Sequence, residues 1–135
     1  MRTIFFAHDQ QENPEHRKHV LELSGYVVRL FSNHAALLEA VVQGPAPDLV
    51  LIDTLLEGKH GFDSVQDLSR NFPKRTWPIL LASQIYRLRA FREEALKSGA
   101  QDYLLLPLAP DEFLRRVNQA IAYFVPPQKA ASTAG

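Results

Sequence analysis

The sequence predicts an α/β fold with a doubly wound parallel sheet, and three observations support this prediction. Five short apolar runs alternate with longer stretches of helical periodicity along the 135 residues. Four of these runs are almost continuously apolar, which is typical of strands that are covered by helices on both faces. Glycine and proline stand between the periodic stretches, where turns are needed. Strands and helices in this alternation are joined by right-handed crossovers.

The five predicted strands are short. They are Thr3–Ala7, Tyr26–Phe31, Leu49–Ile52, Ile79–Ala82 and Tyr103–Leu105. The second run contains a charged residue, Arg29, and we therefore expect it to lie at an edge of the sheet.

The predicted helices follow the strands. They are Pro14–Ser24, Asn33–Val42, Phe62–Asn71, Arg87–Ser98 and Pro110–Phe124. Asn13 precedes a proline that can occupy the first helical position, and Gly25 and Gly99 can end their helices in the left-handed conformation. The last helix opens with two acids in its first turn, where the helix dipole favours negative charge.

The composition indicates one domain, and it excludes several kinds of site. There is no cysteine, so disulfides, thiol catalysis and thiolate metal sites are excluded. The formal net charge is zero, and no apolar run approaches the length of a membrane helix, so we expect a cytoplasmic protein without direct nucleic-acid or membrane partners. Residues 1–124 form the predicted domain, and residues 125–135 are expected to be a flexible tail or the start of a linker.

Polar side chains stand at the ends of three predicted strands. Ligands bind beyond the carboxyl ends of the strands in an open parallel sheet. Asp9, Asp53 and Ser83 lie at the carboxyl ends of three predicted strands. The two carboxylates could hold a hard cation such as Mg²⁺, and Asp53 could also act as a nucleophile toward phosphorus. Ser83 could donate a hydrogen bond to a phosphoryl group. Two plainer alternatives remain: Asp53 caps a loop, and Ser83 satisfies local backbone groups.

Three motifs, in the expected order and spacing, resemble the receiver domains of bacterial response regulators, the CheY-like family. The first is Pro47–Asp53 followed by Gly58 and Gly61-Phe62, the second is Pro78–Ser83, and the third is Leu96–Leu104. With the order of the helices, the resemblance covers residues 2–124. It implies a flavodoxin-like (βα)5 sheet with strand order 2-1-3-4-5.

The resemblance also implies a role for each site residue. Asp53 would be the phosphoacceptor, Ser83 the switch hydroxyl and Tyr103 the switch aromatic. Asp9, Asp53 and the backbone carbonyl of Leu55 would bind Mg²⁺. The phosphate would come from a histidine kinase or a phosphotransfer protein, and the output face would be helix four, strand five and helix five, with a possible homodimer there. Such a domain is not an enzyme beyond self-phosphotransfer and slow autodephosphorylation.

The sequence departs from the family at four positions. His8 replaces one of the two acids that usually end strand one, which weakens the magnesium site. Leu106 replaces the lysine of the Lys-Pro pair, so the ammonium that would pair with Asp53 or its phosphoryl group is absent. Glu57 replaces a residue that is commonly proline and adds negative charge near the acceptor. Gln84 replaces a small residue and adds bulk there. Lys59 is the nearest candidate by sequence for a substitute cation, but a solvated loop lysine is the favoured interpretation.

Two functions therefore remain open for the domain. It is either a receiver that accepts phosphate on Asp53 with degraded chemistry, or a phosphorylation-independent pseudo-receiver that acts through protein–protein interaction. A small nucleotide-binding enzyme is disfavoured, because residues 8–14 contain no glycine for a phosphate loop. The family's peptide bond before this proline is commonly cis, so we expect a cis bond between Leu106 and Pro107.

Overall fold

The structure, a computed structural model, describes residues 1–126 and contains one five-stranded parallel sheet in the order β2-β1-β3-β4-β5. The strands are β1 (Thr3–Ala7), β2 (Val27–Phe31), β3 (Leu49–Asp53), β4 (Ile79–Ser83) and β5 (Asp102–Leu105). The helices are α1 (Glu15–Leu23), α2 (His34–Gln43), α3 (Gly61–Asn71), α4 (Arg89–Ser98) and α5 (Pro110–Tyr123). The predicted fold class, strand order and edge position of β2 are confirmed. The predicted tail lies outside the described residues from position 127 onward.

The core lies on both faces of the sheet, because successive residues of each buried strand point to opposite sides. On one face, Phe5 of β1 belongs to a cluster that α2, α3 and α4 cover. On the other face, Phe6 belongs to a cluster that α1 and α5 cover. All five residues of β3 and of β4 are buried, which explains their continuous apolar sequence.

Four of the five strands differ from the prediction by one residue at one end. β3 and β4 each extend to include the polar residue that follows the apolar run, so Asp53 and Ser83 belong to the sheet. β5 begins one residue earlier, at Asp102, which pairs with Leu80. β2 begins at Val27, because the backbone N–H of Tyr26 donates to the carbonyl of Leu21 and continues the turn that ends α1.

The helix starts also differ slightly from the prediction. Pro14 precedes α1 instead of occupying its first position, and the Asn13 side chain accepts a hydrogen bond from Glu15 N–H at 2.9 Å. Asn33 is the N-cap of α2 and accepts from Ala36 N–H at 2.8 Å. α4 begins at Arg89, two residues later than predicted, because Leu88 is extended. None of the helices described between residues 1 and 126 is long and apolar enough to cross a membrane.

Gly61 opens α3 at a point of close approach to β3. A Cβ atom built there would lie 2.6 Å from both the carbonyl oxygen of Asp53 and the Cα atom of Thr54. These backbone atoms cannot move without displacing the carboxyl end of β3. The first turn of α3 can therefore lie against the site only because residue 61 has no side chain.

We expect Gly61→Ala to lower the free energy of unfolding by about 3 kcal/mol, because an inserted methyl group must displace packed backbone. Urea denaturation followed by circular dichroism measures the change. Gly25→Ala is the matched control: its φ of +92° disfavours alanine, but the added Cβ meets nothing within 4 Å. Its cost should be about 1 kcal/mol. A Gly61→Ala protein no less stable than Gly25→Ala would contradict the packing argument.

Candidate functional site

The candidate site is centred on the carboxylate of Asp53, the last residue of β3. Asp53 is 4% exposed, and β1 and β4 pair with β3 on either side of it. Its Oδ2 atom accepts a hydrogen bond of 2.9 Å from the backbone N–H of Asp9, which follows β1. The structure thus brings together two of the predicted site residues at the carboxyl edge of the sheet.

Arg17 of α1 is the cation that partners Asp53. Its Nη1 atom donates to Asp53 Oδ1 at 2.7 Å, and its Nη2 atom donates to Asp53 Oδ2 at 2.9 Å. The side chains of Arg17 and Asp53 are 12% and 6% exposed, so the pair is largely removed from water. A bidentate, charge-assisted pair of this kind is among the strongest polar contacts in proteins. Both oxygens of Asp53 are therefore engaged within the domain.

Two further contacts hold the Arg17 guanidinium in place. It lies over the ring of Phe6, 4.5 Å from the centroid, and its Nη2 atom lies 3.7 Å from the Glu12 carboxylate. Burial raises the pKa of Glu12, and the negative charge of Asp53 adds to this rise although Arg17 opposes it. The geometry thus places one guanidinium between two carboxylates, with the shorter contacts to Asp53.

The residues present do not fit a divalent cation as they are arranged. Asp9 is buried and its Oδ1 atom accepts a hydrogen bond of 2.8 Å from the Gln11 N–H, while both Asp53 oxygens accept from Arg17. In the part of the chain that the structure describes, no three histidine, aspartate or glutamate side chains are grouped to hold a metal. Leu55, whose carbonyl was expected as a ligand, lines the same small cavity of about 60 Å³ as Asp9 and Asp53. Its role as a ligand stays a prediction.

Ser83 lies at the end of β4 and lines the same cavity. Its Oγ atom accepts hydrogen bonds from the backbone N–H groups of Ile85 at 3.2 Å and Tyr86 at 3.0 Å. The Thr54 hydroxyl also donates to it, at 3.1 Å. Ser83 therefore organises the loop that leaves β4, in addition to any contact with a ligand.

The position of the missing lysine is filled by a core side chain. Leu106 is 6% exposed and belongs to the apolar cluster that contains Phe6 and Phe113. The peptide bond between Leu106 and Pro107 is cis, as predicted from the family resemblance. Lys59, the nearest candidate by sequence for a substitute cation, does not pair with Asp53, because its Nζ atom lies 3.8 Å from Asp67 Oδ1, on α3.

Tyr103, the predicted switch aromatic, points inward in β5. It is 2% exposed, and its hydroxyl donates a hydrogen bond of 2.6 Å to the carbonyl of Tyr86. Its ring lies 5.9 Å from that of Phe62 in the packed core, and burial raises the pKa of its hydroxyl. The aromatic thus contacts the loop that Ser83 organises.

A second ion-pair network lies on the face made by α4, β5 and α5. Asp102 accepts from Arg116 Nε at 2.6 Å and Nη2 at 2.8 Å, and from Arg92 Nη1 at 2.8 Å. Burial alone would raise the pKa of Asp102, but these bonds and one from the Tyr103 N–H outweigh it, and the pKa is lowered. The carboxylate of Asp102 is therefore satisfied within the domain.

These features define a parallel α/β domain with a buried carboxylate site at the carboxyl edge of its sheet. The family model for the response regulator receiver domain matches residues 4–118. The chain belongs to this family, and hence to the two-component signalling proteins.

The relatives and solved structures agree with this assignment. The phosphate regulon transcriptional regulatory protein PhoB of Pseudomonas aeruginosa is 29% identical over 125 residues, covering 89% of this chain and 52% of the relative. Protein PetR of Rhodobacter capsulatus is 37% identical over 101 residues, covering 75% and 39%. The receiver domain of the TMAO respiratory system response regulator TorR superposes with a TM-score of 0.75 at 26% identity, covering 88% and 95%. The chain spans about half or less of the two curated relatives.

We expect Arg17→Met to lower the free energy of unfolding by about 3 kcal/mol, because it leaves the Asp53 carboxylate buried without a counter-charge. The double variant Arg17→Met/Asp53→Asn should recover part of this loss, since it removes both charges. Urea denaturation at neutral pH measures all of these variants.

Arg29→Met is the control, because Arg29 also lies over an aromatic ring, 5.0 Å from the Phe5 centroid, but in an exposed position of β2. Its cost should stay below about 1 kcal/mol. If Arg17→Met were no more destabilising than Arg29→Met, the buried ion pair between Arg17 and Asp53 would not contribute to stability as its geometry indicates.

The Asp102 network predicts a pH dependence of stability. Because the folded pKa of Asp102 lies below the unfolded value of about 4, ionised Asp102 stabilises the fold above that pH. The contribution is lost as the pH falls through the folded pKa. The difference in unfolding free energy between the natural protein and Asp102→Asn should therefore be largest near neutrality and shrink below about pH 4. Glu94→Gln, an exposed acid on α4, should show little difference at any pH; equal profiles for both variants would refute the assignment.

Proposed function

We propose that this receiver domain acts as a pseudo-receiver, a protein-interaction module that signals without phosphate on Asp53. The observation that carries the proposal is the bidentate ion pair between Arg17 and Asp53. In this proposal the domain catalyses no reaction on another molecule. Its output passes through the face made by α4, β5 and α5. A histidine kinase or phosphotransfer protein would bind the domain without transferring phosphate to it.

The charges around Asp53 support this proposal. A phosphoacceptor needs one carboxylate oxygen free to attack phosphorus, whereas both oxygens here accept hydrogen bonds from Arg17. Separating a largely buried pair of charges costs about 3 kcal/mol or more. Among residues 1–126, no ammonium compensates for that cost, because Leu106 occupies the position of the family's lysine and packs into the core. Arg17 thus takes the place of both the lysine and the magnesium ion as the positive charge beside Asp53.

A second candidate function is phosphate acceptance on Asp53 with degraded chemistry, and one observation favours it. Asp9, Asp53, Leu55 and Ser83 line one cavity, in the arrangement that the family resemblance implies. In that reaction, an oxygen of Asp53 would bond to phosphorus while the phosphorus–nitrogen bond of a phosphohistidine breaks. Arg17 would first have to move away from at least one carboxylate oxygen, and Mg²⁺ would have to bind in its place.

The two candidates are separated by incubating the protein with Mg²⁺ and beryllofluoride, or with a small phosphoryl donor. Under the pseudo-receiver proposal, intact mass spectrometry shows no adduct, and NMR shows no shift of the Asp53 and Ser83 amide signals. Beryllofluoride occupies the position of a phosphoryl group on a carboxylate, so it needs the same free oxygen. A stoichiometric adduct on the natural protein would establish the phosphoacceptor function instead.

Two variants test whether Arg17 and Leu106 together account for the lack of binding. Leu106→Lys supplies the family's ammonium, but Arg17 still occupies both oxygens of Asp53, so its gain in beryllofluoride affinity should be small. Arg17→Gln/Leu106→Lys frees the carboxylate as well, and its affinity should exceed that of the natural protein by at least about tenfold, since a charge-assisted contact is restored. If the double variant bound no better than Leu106→Lys alone, Arg17 would not be what closes the site.

A further inference from the structure

A second cavity lies beside the candidate site, between α1, α5 and the segment that leads from β5 into α5. It has a volume of about 180 Å³ and is distinct from the smaller cavity that Asp53 lines. Leu106 and Gln84 line both cavities, so these two residues form part of the wall between them. Both stand at positions where the sequence departs from the family. The departures that weaken the phosphoryl site therefore also shape this second space.

The floor of this space, the α1–α5 cavity, is apolar. Val20 of α1, Leu106 and Phe113 of α5 line it, and all three are buried. An apolar cavity of about 150 Å³ is large enough to bind benzene. The α1–α5 cavity can therefore hold one aromatic ring with a small substituent. A lysine at position 106 would bring an ammonium group to this wall, so the apolar character of the cavity depends on the leucine.

Arg17 supplies hydrogen-bond donors at one side of the α1–α5 cavity. Its Nη1 and Nη2 atoms each donate to Asp53, but a guanidinium carries more N–H groups than these two. Within residues 1–126, the guanidinium donates no further hydrogen bond, and the Glu12 carboxylate lies 3.7 Å from Nη2, beyond hydrogen-bond distance. A ligand that accepts a hydrogen bond can therefore contact Arg17 without displacing Asp53.

The charges around Arg17 favour a ligand without a net charge. A carboxylate ligand would be the third negative group beside one guanidinium, since Asp53 and Glu12 already flank it. An ammonium ligand would be repelled by Arg17, and no carboxylate lines the cavity in the described part of the chain. His16 also lines the cavity, but it is exposed, so water screens any charge on it. A neutral carbonyl group avoids both penalties.

We propose that the α1–α5 cavity binds a small uncharged molecule that carries one aromatic ring and one carbonyl group. The ring packs against Val20, Leu106 and Phe113, and the carbonyl oxygen accepts a hydrogen bond from Arg17. The ligand thus contacts the same guanidinium that neutralises Asp53. This binding does not depend on whether Asp53 accepts phosphate.

Four probes with a single ring test the chemistry of the ligand: benzamide, toluene, benzoate and benzylamine. Benzamide has a neutral carbonyl group, toluene has no acceptor, and the other two carry a negative and a positive charge. In NMR titrations of the labelled full chain, benzamide should bind most tightly, with a dissociation constant of about 1 mM, as expected for so small a ligand. Toluene should bind about fivefold more weakly, since it lacks one hydrogen bond. The shifted signals should lie in residues 16–20 and 106–113.

The double variant Arg17→Met/Asp53→Asn tests the hydrogen bond to the carbonyl group. It removes the donor and the buried negative charge together, so no carboxylate is left without a partner. The affinity for benzamide should fall to within about twofold of the affinity for toluene, and the affinity for toluene should not change. If benzamide kept its advantage over toluene in this variant, Arg17 would not be the donor.

A variant that fills the cavity tests the position of the ring. Val20→Met should weaken benzamide and toluene alike by at least about fivefold, because the longer side chain occupies part of the space. Val42→Met makes the same change at an exposed position of α2 and should leave both affinities within about twofold. Leu108→Trp, at a half-buried position that lines the cavity, is the second variant if Val20→Met proves unstable.

Several outcomes would overturn the proposal. They are the absence of benzamide binding, equal binding of toluene, and shifts that map to another part of the domain. Tighter binding of benzoate or of benzylamine would overturn it as well, because the ligand would then be charged. The beryllofluoride experiment reads an adduct on Asp53, whereas the probes here read residues of α1 and α5. Failure of this proposal is therefore distinguishable from failure of the pseudo-receiver proposal.

Discussion

The buried charge of Asp53 is the constraint on which the arrangement of the site depends. A carboxylate that is 4% exposed is costly to ionise unless a cation and hydrogen-bond donors surround it. The domain meets this requirement with the guanidinium of Arg17 and the backbone N–H of Asp9. Because Arg17 belongs to α1 and Asp53 to β3, the same ion pair also fixes α1 against the carboxyl edge of the sheet. The electrostatics of the site and the packing of α1 are therefore not separable.

The choice of cation changes what the site can do. An ammonium is a compact charge on a flexible stem, and it can approach one oxygen of a carboxylate while leaving the other open. The planar guanidinium of Arg17 matches both oxygens of Asp53 at once, and the ring of Phe6 beneath it restricts its movement. The loss of the family's lysine at Leu106 and the presence of Arg17 are thus complementary. Once a leucine fills that position and joins the core, the counter-charge must come from another element.

The fold and part of the site could be predicted from the sequence, for identifiable physical reasons. Buried parallel strands leave continuous apolar runs, so all five strands were located, and Asp9, Asp53 and Ser83 were found because they follow such runs. Arg17 was missed because the partner of a helical side chain depends on how the helix packs, which no spacing in the sequence records. The one substitute cation that proximity in sequence suggested was Lys59, whose side chain lies near Asp67 on α3. The start of α4 was misplaced because Arg87 and Leu88 continue the helical pattern in composition, while Leu88 is extended in the structure.

The site and the face made by α4, β5 and α5 are joined by a short run of hydrogen bonds. Thr54, next to Asp53, donates to Ser83, whose oxygen accepts from the Tyr86 N–H. The Tyr86 carbonyl in turn accepts from the hydroxyl of Tyr103, in β5. Each link joins a buried or partly buried group, so displacing Tyr103 would leave the Tyr86 carbonyl without this donor, at a cost comparable to a lost hydrogen bond. In a pseudo-receiver this connection would hold the output face in one conformation. Core packing, instead of phosphorylation, would then determine whether that face can bind a partner.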